Sequence, residues 1–270
     1  LRHDVDALPL HSLRMAQLEN SLGIKGTYYF RMVPKCFKPE IILEIASMGH
    51  EVGYHYETLS EAVKRYRTEV RKHSSTNPGI RKQRNNSQDQ NRYWAFLKPA
   101  TRTIFCRKKD CGTLTKEYID LAYQLFIENL ENFRKVVSVK TISMHGSPLS
   151  PFDNRAIWKE YDYRELGILG EPYFDSDFSK MAYLTDTSRW WNGYKFNLRD
   201  KVKSSYSFGF ISTYDIIRNL DQLPNQIMFN FHPQRWTDSF FPWVKELIWQ
   251  NVKNIVKWLL LKWKKLDEDV

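Results

Sequence analysis

Leu1-Arg2-His3-Asp4-Val5-Asp6 opens the chain, and the reading of this LRHDVD stretch decides the fold. It predicts a β-strand. Side chains along a strand alternate between faces, so Asp4 and Asp6 point the same way. Two carboxylates that close repel each other unless a cation or a shared proton lies between them. The opening strand therefore predicts a functional site at its carboxyl end.

Working outward, ALPLHSLRMAQLENSLG reads as a helix, with Leu8, Met15, Leu18 and Leu22 near helical spacing and Gly23 as its stop. GTYYFRMV is a second strand. KPEIILEIASMG is a helix with Pro39 in its first turn and Gly49 after its end. HEVGYHYE is a third strand, and LSEAVKRYRTEVRK begins another helix. After a break, LTKEYIDLAYQLFIENLENFRK is a helix and VKTISMHG a strand. Residues 147–200 read as short strands and turns. TYDIIRNLDQLP is a helix, NQIMFNFHP a strand, and 240–266 a long C-terminal amphipathic helix. Strands alternating with helices indicate an α/β fold with a largely parallel sheet, open or closed.

The chain has 270 residues, 42% apolar and 15% aromatic, enough for one large core. We read 1–270 as a single catalytic domain. The net charge of +10 is concentrated: Lys64 to Lys116 holds fifteen Lys and Arg against Glu69, Asp89 and Asp110, and the remainder is near neutral. Residues 73–113 have no steady period and read as a basic, flexible insertion. Arg84, Arg92, Tyr93, Trp94 and Lys98 there mix charge with stacking groups, yet no nucleic-acid motif is present, and no specific nucleic acid is expected. Three cysteines make no disulfide framework. No apolar run reaches membrane-span length. A chain starting at Leu1 within a motif reads as truncated or processed, and a cytoplasmic setting is favoured.

In α/β folds, functional groups gather at the carboxyl ends of strands. The polar residues at those ends are Asp4, Asp6, His55, Glu57, His145 and His232. Aspartate, glutamate and histidine together suit a borderline divalent ion such as zinc. The ion would neutralise the carboxylate pair, one Asp would remain as a base, and a histidine across the site would protonate a leaving group. This is equipment for hydrolysing an amide or ester. Each residue also has a plainer reading. Asp4 and Asp6 can be hydrogen-bonded strand-end residues, Glu57 an orienting group, and His145 a turn residue. Trp190 and Trp191 suit either a sugar cleft or the core.

RHDVD, GIKGTYYFR, GHEVGYHYE, ISMHGSP and NFHPQRW, taken in order, resemble the strand-end motifs of the NodB-homology polysaccharide deacetylases, across residues 1–73 and 114–236. The resemblance implies a distorted (β/α) barrel and a divalent metal, usually zinc. It implies a hydrolase that removes N-acetyl groups from an amino sugar of a cell-surface polysaccharide or its precursor. Asp4 matches the catalytic base, Asp6 a metal-ligand aspartate, His55 the first metal histidine and His232 the general acid. The second metal histidine should fall at Leu59, and leucine cannot ligate. Glu57 and His145 are then candidate ligands. HGSP, from His145, lies where the family has an arginine and proline pattern. Asp175 and Asp177, in YFDSDF, match an orienting aspartate and are expected near substrate. The departures leave two alternatives: a catalytically impaired glycan-binding relative and a metal-free amidase. The C-terminal helix is expected to pack one face on the barrel, with peripheral membrane contact left open because its tryptophans occupy several faces.

Overall fold

The computed structural model describes residues 1–76, 114–147, 150–191 and 199–268. Most of the basic insertion, with Cys106 and Cys111, lies outside the described residues; residues 73–76 continue a helix. Six strands form one sheet: β1 (Arg2–Val5), β2 (Thr27–Phe30), β3 (Glu51–Tyr56), β4 (Ile142–Met144), β5 (Ala182–Thr185) and β6 (Ile227–Phe231). Their order is β4-β3-β2-β1-β6-β5, and every pairing is parallel. The sheet curls into a half-barrel, compatible with a barrel-like α/β fold. The order is that of a barrel opened between β4 and β5. Part of the gap is filled by the chain at Leu169–Gly170, which bridges to Thr141 beside β4.

The central strand β1 is buried along its whole length, as a parallel strand covered on both sides must be. Helices α1 (Pro9–Ser21), α2 (Pro39–Ser47), α3 (Thr58–Thr76) and α4 (Lys116–Arg134) cover β1 to β4. The short α5 (Pro172–Asp175) and α6 (Thr213–Arg218) precede and follow β5, and α7 (Phe240–Glu268) closes the described chain. Proline sits at the first turn of α1 and α2, where its missing N–H costs nothing. Tyr28, Phe30, Tyr54, Tyr56, Phe126 and Phe133 are fully buried and form much of the core between sheet and helices.

Helix α1 departs from the expected pattern. Leu8, Leu18 and Leu22 are exposed, and the buried face carries Pro9, Ser12, Ala16 and Glu19. Small Ser12 and Ala16 let the helix lie close on the sheet. Glu19 accepts a hydrogen bond from Tyr28 Oη at 2.8 Å and lies 2.8 Å from His3 Nε2. Gly53 in β3 marks another close approach. A Cβ there would sit 2.4 Å from the Tyr29 ring and 2.9 Å from the Thr141 carbonyl.

Leu59, the position where a metal histidine was expected, is wholly buried in α3 among Ala62, Val63, Tyr118 and Ala122. It belongs to the packing of α3 against α4. Strand β5 was not resolved from the turn-rich sequence around it.

Candidate active site

Parallel strands put all their carboxyl ends at one edge. The register pairs Asp4 with Tyr29 and His55 with Ser143, so the residues just past β1, β3, β4 and β6 converge. They line a cavity of about 120 Å³. Asp4, Asp6, His55, His145 and His232 are in its wall, with Ser147, Tyr173, Thr187, Arg199, Asp200 and Arg235.

Asp6 is the hub. Its Oδ1 is 3.3 Å from His145 Nε2 and 3.6 Å from His55 Nε2, and its Oδ2 is 4.0 Å from His232 Nε2. Burial would raise the Asp6 pKa, but the surrounding imidazoles outweigh it and hold the group well below the carboxylate range. Oδ1 is buried and has no aligned hydrogen-bond donor.

Both neighbouring histidines are oriented from behind. His55 Nδ1–H donates to the Ser143 carbonyl at 3.0 Å, which leaves the Nε2 lone pair facing Asp6. Burial pushes the His55 pKa down to about 4, so its ring is neutral at pH 7. His145 Nδ1 lies 3.0 Å from Glu57 Oε2 and 3.1 Å from Ser147 Oγ, which itself donates to Glu57 Oε2 at 3.2 Å, and Arg31 holds the other Glu57 oxygen. Burial would lower the His145 pKa, but Asp6 and Glu57 on either side raise it to about 9. Burial also opposes Glu57, yet His145 and Arg31 bring it down to about 2. Glu57 thus lies behind His145 and directs it.

Asp6, His55 and His145 offer one carboxylate oxygen and two imidazole nitrogens within 4.8 Å of one another. This set fits a tetrahedral divalent ion with one open position, and a carboxylate behind one histidine is the usual support for such a ligand. The unpartnered Asp6 Oδ1 and the inward Nε2 of His55 are what such an ion would satisfy.

Asp4 is held differently. Arg2, two residues upstream on the same face, donates from Nε at 3.0 Å and from Nη2 at 2.7 Å to its two oxygens. Asn230 Nδ2 adds a bond at 3.1 Å from β6. Burial opposes the charge, but Arg2 and His55 draw the Asp4 pKa down to about 2. The two carboxylates of the opening strand are therefore neutralised separately, Asp4 by a guanidinium and Asp6 by imidazoles.

Across the cavity, His232 is anchored by Asp186 at the end of β5. Its Nδ1–H donates to Asp186 Oδ1 at 2.6 Å, and its backbone N–H donates to both oxygens at 3.1 Å. Arg235 and Trp236 Nε1 also donate to Asp186, at 2.9 and 2.7 Å. Burial opposes the Asp186 charge, while Arg235 and His232 hold its pKa below the usual value. Asp200 collects hydroxyls from Tyr173, Tyr183, Thr185 and Thr187.

Asp175 and Asp177 do not join the site. Asp175 binds Tyr163, Arg164 and the Glu171 amide, and Asp177 is an exposed partner of Ser179 and Lys180. The orienting aspartate in this structure is Asp186. Sequence reading missed it, along with Arg2, Arg31, Asn230 and Asp200. Arg2 was within reach of the period-two rule that linked Asp4 to Asp6. Asp186 was hidden because AYLT was not separated from its turns. Trp191 is buried against Phe229 and Phe231, and Trp190 is partly exposed.

Comparison of the chain with family models, curated proteins and solved structures gives no match.

Proposed function

We propose that this chain is a metal-dependent amide hydrolase that removes N-acetyl groups from an amino sugar of a cell-surface polysaccharide or its precursor. One observation carries the reading: an Asp6–His55–His145 ligand set faces an Asp186-anchored His232 across a single cavity. The likeness of RHDVD, GHEVGYHYE and NFHPQRW to NodB-homology deacetylase motifs supplies the substrate class. A divalent ion, zinc by the donor chemistry, would be held by Asp6, His55 and His145 and would supply Lewis-acid polarisation of the acyl oxygen.

The protein's own groups do the rest. Asp4, kept ionised by Arg2, takes a proton from the water as the water oxygen bonds to the acyl carbon, and passes it to His232, which delivers it to the amine nitrogen as the C–N bond breaks. His232 protonates the departing amine through Nε2, because Asp186 fixes the ring by Nδ1. Asp186 also stabilises the imidazolium while it carries the proton. The products are acetate and a free amino sugar.

A metal-free amidase is the second reading. His145 lies between Asp6 and Glu57, and a protonated imidazole there offsets the charge of both carboxylates. Acetate release from a panel of N-acetylated amino sugars, with and without a chelator, separates the two. Turnover lost on chelation and restored by zinc supports the first. Turnover that survives chelation supports the second, and no acetate release from any sugar overturns both.

A further inference from the structure

Helix α7 is amphipathic in the inverted sense. Its protein-facing side carries Gln250 and Asn254, which are 2% and 4% exposed. Gln250 donates to Asn254 Oδ1 at 2.7 Å, and Asn254 donates to the Ser188 carbonyl at 3.0 Å. Glu246 binds Arg189 on the same side. The solvent side is mostly apolar, with Lys245 and Asn251 as exposed polar residues along the stripe. Phe241, Ile248, Val252 and Ile255 follow one another at spacings of seven, four and three residues, which is a single helical stripe. They are 82%, 61%, 44% and 60% exposed, and Trp249 and Val256 beside them are 60% and 47% exposed. A surface helix of a lone globular chain turns such a stripe inward.

The polar inner face is not a fault of packing, because each of those polar groups is hydrogen-bonded or ion-paired. The outer face thus awaits an apolar surface, and its charge says which kind. Lys245 lies within the stripe. Residues 240–266 contain six lysines and one acid, Glu246, before the acids at 267–269. Aromatic and aliphatic side chains with the exposed Lys245 among them, on a segment of net positive charge, suit the boundary between acyl chains and acidic headgroups. No helix of the described residues is long and apolar enough to cross a membrane, so the helix would lie in the interface plane.

We propose that the outer face of α7 docks the protein on an anionic lipid bilayer. The anchor is close to the cavity. Ser188, which holds Asn254, adjoins the cavity residue Thr187, so docking brings the site near the lipid surface. Lipid attachment stands apart from the deacetylase reading, since it rests on α7 alone.

The test is sedimentation of the 270-residue chain with vesicles of phosphatidylcholine alone and with phosphatidylglycerol added. The chain should pellet with the anionic vesicles, pellet weakly with the neutral ones, and lose binding as salt rises. The double variant Val252→Asp, Ile255→Asp replaces exposed residues and should keep its circular dichroism spectrum. Its partitioning should fall by about tenfold or more. Lys245→Glu, which leaves the apolar stripe intact, should weaken binding only to the anionic vesicles. Absence of pelleting, or pelleting unchanged in the double variant, overturns the proposal. So does a self-association in solution that the double variant abolishes, since it would assign the face to a second copy.

Discussion

Asp186 grips His232 from two directions, through the ring Nδ1 at 2.6 Å and through the backbone N–H at 3.1 Å from both carboxylate oxygens. The imidazole therefore has one orientation, with Nε2 toward Asp6 and the cavity. Asp186→Asn keeps the shape and can still accept from the backbone, but it cannot stabilise an imidazolium. We expect acetate release to fall by a hundredfold or more, on the order of a general acid–base contribution. The substrate KM should change little. A circular dichroism melt checks that the variant folds, and near-normal turnover would remove the dyad from the mechanism.

Metal retention should follow the ligand set and its support. Asp6→Ala and His55→Ala should each abolish stoichiometric metal. Glu57→Gln should weaken metal binding by roughly 10- to 100-fold while leaving the ligands in place. Metal analysis after dialysis against graded chelator measures both effects. Equal metal content in the wild type and Asp6→Ala would exclude this set.

Metal binding should release protons. In the metal-free chain His145 has a pKa of about 9 and is protonated at pH 7. An imidazole must be neutral to ligate, so one proton leaves and affinity rises as pH climbs towards about 9. Calorimetry in two buffers of different ionisation enthalpy reads the proton count. Zero protons released at pH 7 would contradict the His145 assignment.

The metal-free protein should be most stable near pH 6 to 7, on three grounds. The His145 pKa is raised from 6.5, so its contribution is complete below 6.5 and is lost as pH rises through about 9. The Glu57 pKa is depressed from 4.5, so its contribution is present above 4.5 and is lost as pH falls through about 2. His55, lowered to about 4, adds to the acid loss because the unfolded chain takes up a proton below 6.5 that the folded chain refuses. Thermal melts across pH should show both limbs, and His145→Asn should remove most of the alkaline one.

The order of elements was legible because each strand and helix carries its own local signal: Pro39 and Gly49 bracket α2, and HEVGYHYE is β-rich throughout. The carboxyl-end edge was legible because parallel strands place their last residues together whatever lies between them. Three things were not. Leu18 and Leu22 keep helical spacing but face solvent, because Glu19 meets His3 and Tyr28 beneath the helix. Asp186 sits after a four-residue strand too short to show a period. The outward face of α7 depends on Gln250 and Asn254 finding partners across the chain, and no local pattern reports that.

Leu59→His tests whether the departure from the expected ligand pattern matters. Its side chain points into the packing between α3 and α4, so a histidine there gains no metal. We expect unchanged metal affinity and a loss of about 2–4 kcal/mol in stability, from a buried polar ring in place of leucine. Tighter metal binding by Leu59→His would mean that α3 sits differently against the sheet.

The most direct measurement is anomalous diffraction from crystals grown with zinc, with data collected on both sides of the zinc absorption edge. One strong peak per chain is expected, bounded by Asp6, His55 and His145, on the cavity side that His232 faces. A zinc-loaded crystal with no peak there, or with its peak on other residues, would contradict this assignment.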